Sequence, residues 1–188
     1  MPRTAKGPSK PKISPKKSPP RSTDPSTVTA DDAIELLTAD HRNVAWLFDA
    51  FEAAKGDAEK RRIAIDICVA LKVHARLEED LFYPAALKAV GDSALIDEAM
   101  VEHASARDLI AQIETGAPGE AMFDARVKVL GEYVRHHVEE EEQDIFPKCR
   151  SSKLDLEALG TRMALRKAEL GAGFKVSNPV LALTPSDT

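Results

Sequence analysis

Apolar and polar residues follow a helical period over most of the chain. From about residue 30 to residue 170, apolar side chains recur at mixed spacings of three and four, the pattern of helices that bury one face. This pattern and the turns that interrupt it predict helices over about 30–54, 57–90, 93–114 and 120–149, and a short fifth helix over about 153–170. Since short connections join the long helices, we predict an all-α, up-down-up-down four-helix bundle with a short C-terminal fifth helix.

The four long stripes are not purely apolar, because each contains one histidine and two contain a glutamate one turn later. The stripes comprise Ile34, Leu37, His41, Val44, Phe48 and Phe51; Ile63, Ile67, Leu71, His74, Glu78 and Leu81; Ile96, Met100, His103, Ala106, Ile110 and Ile113; and Val127, Leu130, Val134, His137, Glu141 and Ile145. A buried carboxylate is costly unless it is paired or binds a metal. Because no lysine or arginine shares these positions, we expect a cation from solution to neutralise both glutamates.

The spacing of these polar residues suits metal coordination. Residues at i and i+4 lie one helical turn, about 6 Å, apart on the same face of a helix. The second and fourth helices each carry such a histidine–glutamate pair, and the other two helices each supply one histidine. The predicted metal ligands are His41, His74, Glu78, His103, His137 and Glu141.

An internal repeat relates the two halves of the predicted bundle. Residues 74–84 read HARLEEDLFYP and residues 137–147 read HVEEEEQDIFP, and the other two stripe histidines are 62 residues apart. Two equivalent half-sites favour two metal ions over one, with both glutamates bridging them. Imidazole and carboxylate without thiolate suit iron, manganese or zinc. Six protein ligands around two ions leave positions open for a small molecule or a bridging oxygen.

Composition changes sharply near the N-terminus. Residues 1–28 contain seven of the twelve prolines, no aromatic residue and a net charge of +6; because the whole chain carries −5, the remainder carries −11. We predict a disordered basic tail over 1–28, a bundle over 29–150 that opens with Thr29 and Asp32 as a capping box, and a C-terminal helix and tail over 151–188. A solubilising role for the basic tail is favoured. Nucleic-acid binding through it is the alternative, although it offers no aromatic side chain for stacking on bases.

Composition also excludes several protein classes. No apolar run approaches the roughly 18 residues that a membrane-spanning helix needs, so we expect no membrane association. Cys68 and Cys149 are too few for a disulfide framework and lack the spacing of a zinc ribbon or a thioredoxin-type centre. We predict that both are ordinary buried thiols and that the protein is cytoplasmic.

The combined motifs resemble the hemerythrin family, whose members carry an HHE cation-binding domain. The resemblance covers about residues 30–150 and rests on Asp40-His41, His74-x3-Glu78-Glu79, Glu102-His103 and His137-x3-Glu141-Glu142, with the FYP and IFP tails. It implies a non-haem di-iron centre in the bundle, with two iron ions bridged by carboxylates and by an oxo or hydroxo group. The four-histidine, two-glutamate set is similar to bacterial hemerythrin-like stress proteins and to the di-iron domain of iron–sulfur cluster repair proteins.

The sequence departs from the oxygen-carrying members of that family at two positions. The resemblance implies that the oxygen carriers have five-histidine sites with an H-x3-H pair on the third helix. In this sequence Arg107 follows His103 one turn on, at the position of that fifth histidine. The oxygen carriers also use an H-x4-Asp pair on the last helix. That spacing points to Glu142, but the internal repeat points to Glu141, which we predict as the ligand with Glu142 as second choice. We expect Arg107 to extend outward and the site not to carry oxygen reversibly.

Several residues beside the stripes are weaker candidates. We predict a surface position or a hydrogen bond to a ligand for His136, which lies one residue off the seam, and a packing role for Trp46. Glu79 and Glu142 are either solvated or hydrogen-bonded to ligand histidines. Tyr133 lies one turn before the last ligand histidine, so its hydroxyl faces either the site or the edge of the core.

Three functional interpretations follow. The favoured one is a binding and sensing protein whose di-iron centre reacts with oxygen, peroxide or nitric oxide, or handles iron under oxidative or nitrosative stress. The second is an enzyme, either a di-iron oxidase or a peroxidase-like catalyst, with an iron–sulfur centre repair factor as a further alternative. The third is a nucleic-acid-associated protein anchored by the basic tail. The residues do not distinguish turnover from binding, and they define no signalling partner.

Overall fold

Five continuous helices form the part of the chain that this computed structural model describes, residues 32–177. Two of the helices contain a short, wider π-helical segment. The elements are α1 (Ala33–Ala53); α2 (Asp57–Leu77), the first π segment (Glu78–Phe82) and α3 (Tyr83–Val90); α4 (Ser93–Thr115); α5 (Phe123–Glu140), the second π segment (Glu141–Ile145) and α6 (Phe146–Arg150); and α7 (Leu156–Ser177). The predicted all-α bundle is confirmed. The predicted tail over 1–28 and the capping residue Thr29 lie outside the described residues.

Side-chain hydrogen bonds define two of the helix ends. Asp32 caps α1 by accepting a hydrogen bond from the Glu35 amide at 2.9 Å, so this helix begins three residues later than the pattern predicts. The Arg61 guanidinium donates to the carbonyls of Ile113 and Gly116 at 3.0 and 2.9 Å. These bonds satisfy acceptors that the end of α4 leaves without a helical partner.

The four long helices pack in a ring, with α1 beside α2 and α5, and α4 beside α5 and α2. Their apolar faces form two separate clusters, one toward each end of the bundle. One cluster includes Val44, Phe48, Ile67, Ile113 and Leu130, and the other includes Leu37, Leu77, Phe82, Tyr83 and Met163. His41 lies between Leu37 and Val44 on α1, so a polar layer separates the two clusters.

The π segments shift the register of the buried stripes. Each lies just before a proline, Pro84 or Pro147, whose ring clashes with the carbonyl four residues earlier in a regular helix. A wider turn relieves that clash and inserts one extra residue. As a consequence Phe82 is fully buried, whereas Leu81, which the pattern places on the buried stripe, is half-buried and packs against the same core cluster.

Two predictions about packing are wrong. On α4, Ala99 is buried in the core and Met100 is exposed. The small Ala99 side chain packs into the apolar cluster that contains Leu37 and Met163, where α4 lies beside α3. Trp46 is 65% exposed on the outer face of α1 and contributes little to the core. The C-terminal helix runs over Leu156–Ser177 and packs on α1 and α2, where it buries Met163. The predicted fifth helix is therefore confirmed, and its buried face is part of the core of the bundle.

None of the helices within residues 32–177 has the length and apolar content that crossing a lipid bilayer requires.

The two cysteines are expected to resist alkylation in the folded protein. Cys68 and Cys149 are both buried, and burial raises their pKa values to about 12 and about 11. Because the thiolate is the nucleophile, iodoacetamide near neutral pH should modify neither thiol until denaturant is added. Mass spectrometry of intact protein measures this, and rapid alkylation of native protein at either position would contradict the prediction.

Candidate metal centre

The six predicted ligands converge on the polar layer between the two apolar clusters. One histidine comes from each of α1, α2, α4 and α5, and the two glutamates are the first residues of the two π segments. All six side chains are buried, and Glu78 and Glu141 are 0% exposed. The wider turn of each π segment therefore begins at a carboxylate of the site.

The nitrogen donors form two pairs. In the first pair, His41 Nε2 and His74 Nε2 lie 3.2 Å apart. In the second pair, His103 Nε2 and His137 Nε2 lie 3.1 Å apart. Each pair joins the two helices of one half of the internal repeat.

The carboxylates connect the two histidine pairs. Glu78 Oε1 lies 3.1 Å from His74 Nε2, and Glu78 Oε2 lies 3.4 Å from His103 Nε2. Glu141 Oε2 lies 3.3 Å from His41 Nε2 and 3.7 Å from His137 Nε2. These residues form two adjoining groups of potential metal ligands, which we call the donor groups. One contains His41, His74, Glu78 and Glu141, and the other contains Glu78, His103 and His137, so Glu78 belongs to both.

The donor geometry fits bound cations. Two nitrogens held at right angles by one ion at about 2.1 Å each lie about 3.0 Å apart, close to the separation within each histidine pair. Both carboxylate oxygens of Glu78 and one of Glu141 accept no hydrogen bond, although they are fully buried. Orphaned buried acceptors are costly, so a cation would stabilise the arrangement that the helices impose.

In the absence of a cation, the buried carboxylates raise the pKa values of His74 and His103 and so favour protonated imidazoles at these two positions. Burial opposes the charged form of His74, but Glu78 and Asp40 outweigh it and raise the His74 pKa to about 10. Burial likewise opposes ionisation of Glu78, yet the adjacent His74 and His103 hold its pKa well below the ordinary value. A metal ion binds the neutral imidazole, so metal binding would displace these protons.

Each ligand histidine also faces a carboxylate from a neighbouring helix or π segment. Such partners fix the imidazole tautomer and direct Nε2 at a metal. The pairs, from Nδ1 to the nearest carboxylate oxygen, are His41–Glu142 at 2.9 Å, His103–Glu79 at 3.0 Å, His137–Glu102 at 2.7 Å and His74–Asp40 at 3.8 Å. Together the four histidine–carboxylate pairs link neighbouring long helices all the way around the bundle. We call this closed set of contacts the histidine–carboxylate ring.

Two members of this ring were not predicted from the sequence. Asp40 and Glu102 each precede a ligand histidine along the chain but face the ligand histidine of the next helix. Spacing along the chain does not show that relation, because it depends on how neighbouring helices are rotated. The Asp40 contact is the longest of the four, and Lys167 of α7 also pairs with this carboxylate.

One tyrosine breaks the symmetry of the centre. Tyr83 and Phe146 occupy equivalent positions in the repeat, and their rings lie against His103 and His41 at centroid distances of 5.6 and 5.8 Å. Only Tyr83 has a hydroxyl, which donates to Glu141 Oε1 at 2.9 Å. The two half-sites therefore differ chemically. In the sequence, the difference between FYP in the first half of the repeat and IFP in the second half identifies Tyr83.

Replacing Tyr83 with phenylalanine is expected to change the optical spectrum of iron-loaded protein without changing its metal content. The substitution removes the donor on Glu141 Oε1, at a cost of about 1 kcal/mol in stability, and leaves that oxygen available to a metal. Phe146→Tyr is the matched control, because it adds a hydroxyl at the equivalent position beside His41. Superimposable spectra for wild type and Tyr83→Phe would show that the hydroxyl does not influence the centre.

The other sequence candidates lie outside the donor groups. The His136 side chain is 65% exposed, which confirms its predicted surface position. Tyr133 is 52% exposed, at the edge of the core. Glu142 is hydrogen-bonded to a ligand histidine although its side chain is 41% exposed, while Glu141 faces the potential ligands directly. Arg107 points outward, as expected, and pairs with Glu79, the carboxylate that faces His103.

Comparison with known proteins gives a consistent assignment. The hemerythrin HHE cation-binding domain matches residues 32–149. The uncharacterized protein Rv2633c of Mycobacterium tuberculosis H37Rv is 29% identical over 148 residues, which cover 73% of this chain and 86% of that protein. The crystal structure of a hemerythrin HHE cation-binding domain-containing protein from Mycobacterium kansasii, a homolog of Rv2633c, aligns with a TM-score of 0.67 and 25% identity over 79% of this chain and 93% of that chain.

A more distant similarity involves only part of a larger protein. A DNA nickase of Nostoc sp. PCC 7120 is 26% identical over 118 residues, 63% of this chain, and the match spans only 33% of the nickase. The domain match, in contrast, covers well over half of this chain and contains all six buried histidine and glutamate donors. The chain belongs to the hemerythrin HHE cation-binding domain family.

Proposed function

We propose that this protein holds two iron ions in the donor groups and that the resulting centre reacts with oxygen, peroxide or nitric oxide. The observation that carries this proposal is the sharing of Glu78 between two adjoining histidine pairs. The nitrogen and oxygen donor set is compatible with iron. When bound, the iron pair supplies electrons to a small oxidant.

The chain's own residues prepare the site for this chemistry. Carboxylates hydrogen-bonded to Nδ1 orient three of the four imidazoles, those of His41, His103 and His137, and increase their basicity as ligands. Tyr83 donates its hydroxyl proton to Glu141 Oε1 and so holds this carboxylate in place, and Tyr83 Oη lies 3.4 Å from His103 Nε2 of the second histidine pair. Apolar clusters cover the polar layer toward both ends of the bundle.

A sensing or reacting centre is proposed in preference to an oxygen carrier. Arg107 takes the chain position at which the oxygen-carrying relatives are expected to have a fifth histidine, and its side chain is 49% exposed and paired with Glu79. It therefore adds no ligand to the centre. We expect that diferrous protein exposed to oxygen does not return to the colourless diferrous state when the oxygen is removed. Full recovery over repeated cycles would overturn this expectation.

The decisive experiment is to load the protein with ferrous iron under anaerobic conditions and to add oxygen, hydrogen peroxide or nitric oxide separately. We expect at least one of them to change the optical spectrum within mixing time. His74→Ala should abolish the response, whereas His136→Ala, a histidine substitution at the exposed surface, should retain it. Sustained consumption of excess peroxide would identify an enzyme. Loss of all three responses in fully loaded wild type would refute the proposal.

A further inference from the structure

Helix α7 contacts the histidine–carboxylate ring through Lys167. This helix lies outside the internal repeat, because it follows the second half of the repeat along the chain, and it packs on α1 and α2. The Lys167 ammonium donates a hydrogen bond to Asp40 Oδ1 and forms an ion pair with this carboxylate. The Asp40 side chain is 15% exposed, so the cation acts on a carboxylate of the ring that is mostly shielded from solvent.

The repeat supplies an internal comparison for Asp40. Glu102 holds the equivalent position, because each acid directly precedes one ligand histidine and faces another on the next helix. Glu102 Oε2 lies 2.7 Å from His137 Nδ1, which is hydrogen-bond distance. Asp40 Oδ2 lies 3.8 Å from His74 Nδ1, which is too far for a hydrogen bond. The carboxylate that Lys167 binds is therefore the one that does not reach its histidine.

The Nδ1 atom of His74 is buried and has no hydrogen-bond partner. The other three ligand histidines each have a carboxylate oxygen within 3.0 Å of Nδ1. A neutral imidazole that gives its Nε2 lone pair to a metal carries its proton on Nδ1. Because a buried donor without an acceptor costs free energy, binding a metal through His74 carries a cost that the other three histidines avoid.

We propose that Lys167 is a positioning residue of the metal centre, which holds Asp40 away from His74 Nδ1 and so weakens metal binding at the donor group that contains His41 and His74. Without the ammonium, Asp40 Oδ2 needs to move only about 1 Å to accept the Nδ1 proton. By this contact α7 sets the affinity of one donor group and not of the other. The inference rests on the two-ion function proposed above, and it concerns binding rather than the reaction with an oxidant.

The test is calorimetric titration of the metal-free full chain with Co²⁺, a divalent ion that accepts the same nitrogen and oxygen donors. His137→Ala disables one donor group, so that the group containing His74 is measured alone. In this background Lys167→Met should tighten Co²⁺ binding by roughly tenfold, the lower end of the effect of an orienting partner. Lys167→Arg, which keeps the cation, should not. In the His41→Ala background, where the other donor group is measured alone, Lys167→Met should leave the affinity unchanged.

Two controls show whether Lys167 acts through Asp40. Asp40→Asn removes the carboxylate, so a further Lys167→Met should add nothing. Arg166→Met removes a cation of α7 that pairs with Asp80 and Glu169 rather than with the ring, and it should leave Co²⁺ affinity unchanged. Unchanged or weaker binding by Lys167→Met, an equal gain in both histidine backgrounds, or a gain that persists beside Asp40→Asn would each overturn the inference. Fewer than two Co²⁺ ions per wild-type chain would instead refute the two-ion function, and the inference with it.

Discussion

Glu78→Ala should abolish binding of both metal ions, lowering the metal content of loaded protein from about two ions per chain to near zero. Glu78 is the residue that both donor groups share, and its two carboxylate oxygens face different histidine pairs. Its removal takes an anionic ligand from each group at once. Metal analysis after gel filtration measures the content, and circular dichroism verifies that the variant remains helical.

The neighbouring glutamate provides the control. Glu79→Ala removes the same type of side chain one position later, where the carboxylate bonds His103 Nδ1 and faces away from the donors. This variant should still bind two ions, with affinity reduced about 10–100-fold by the loss of the orienting bond. A Glu78→Ala protein that keeps two ions, or a Glu79→Ala protein that loses both, would disprove the assignment of the bridging ligand.

Removing the metal is expected to lower the melting temperature by roughly 10 °C. A ligand that binds only the folded state at a thousandfold excess over its dissociation constant adds about 4 kcal/mol to the free energy of unfolding. For a chain of this length, each kilocalorie moves the melting temperature by about 2–4 °C. The structural reason is that Glu78 and Glu141 are fully buried and retain carboxylate oxygens without hydrogen bonds.

Thermal melts by circular dichroism, with and without a chelator, measure this difference. Adding the metal back should restore the higher melting temperature, which separates metal loss from irreversible damage. Glu78→Ala is the control, because a protein without the shared ligand should melt at the same temperature in both conditions. Equal melting temperatures of the metal-free and metal-loaded wild type would contradict the prediction.

That the six candidate ligands face one buried layer could be predicted from the sequence because helix geometry is local. A residue four positions along a helix faces the same side, so His74 with Glu78 and His137 with Glu141 are paired whatever surrounds them. The internal repeat indicated that the two pairs are equivalent. The structure brings all of them, with the two remaining stripe histidines, into one buried layer.

Local pattern was less informative where the helix is irregular. Extending a regular period beyond Glu78 places Leu81 on the buried face, but the π segment adds a residue, so that Phe82 is fully buried and Leu81 only half-buried against the core. The same effect explains why a regular period beyond Glu78 does not place Tyr83 beside the centre, although its hydroxyl bonds Glu141. The prolines signal an irregularity, but the resulting rotation follows only from the path of the whole helix.

The sequence by itself determined which residue types lie on each buried face, and therefore the bundle, the donor set and its two-fold repeat. Only the tertiary structure decided which residues meet across helices: Asp40 and Glu102 with the histidines of the next helix, Tyr83 with Glu141, and Lys167 of α7 with Asp40. The physical reason is that residues on one helix are related by its fixed pitch. Contacts between helices depend instead on their relative rotation and height, which the packing of all their side chains sets together.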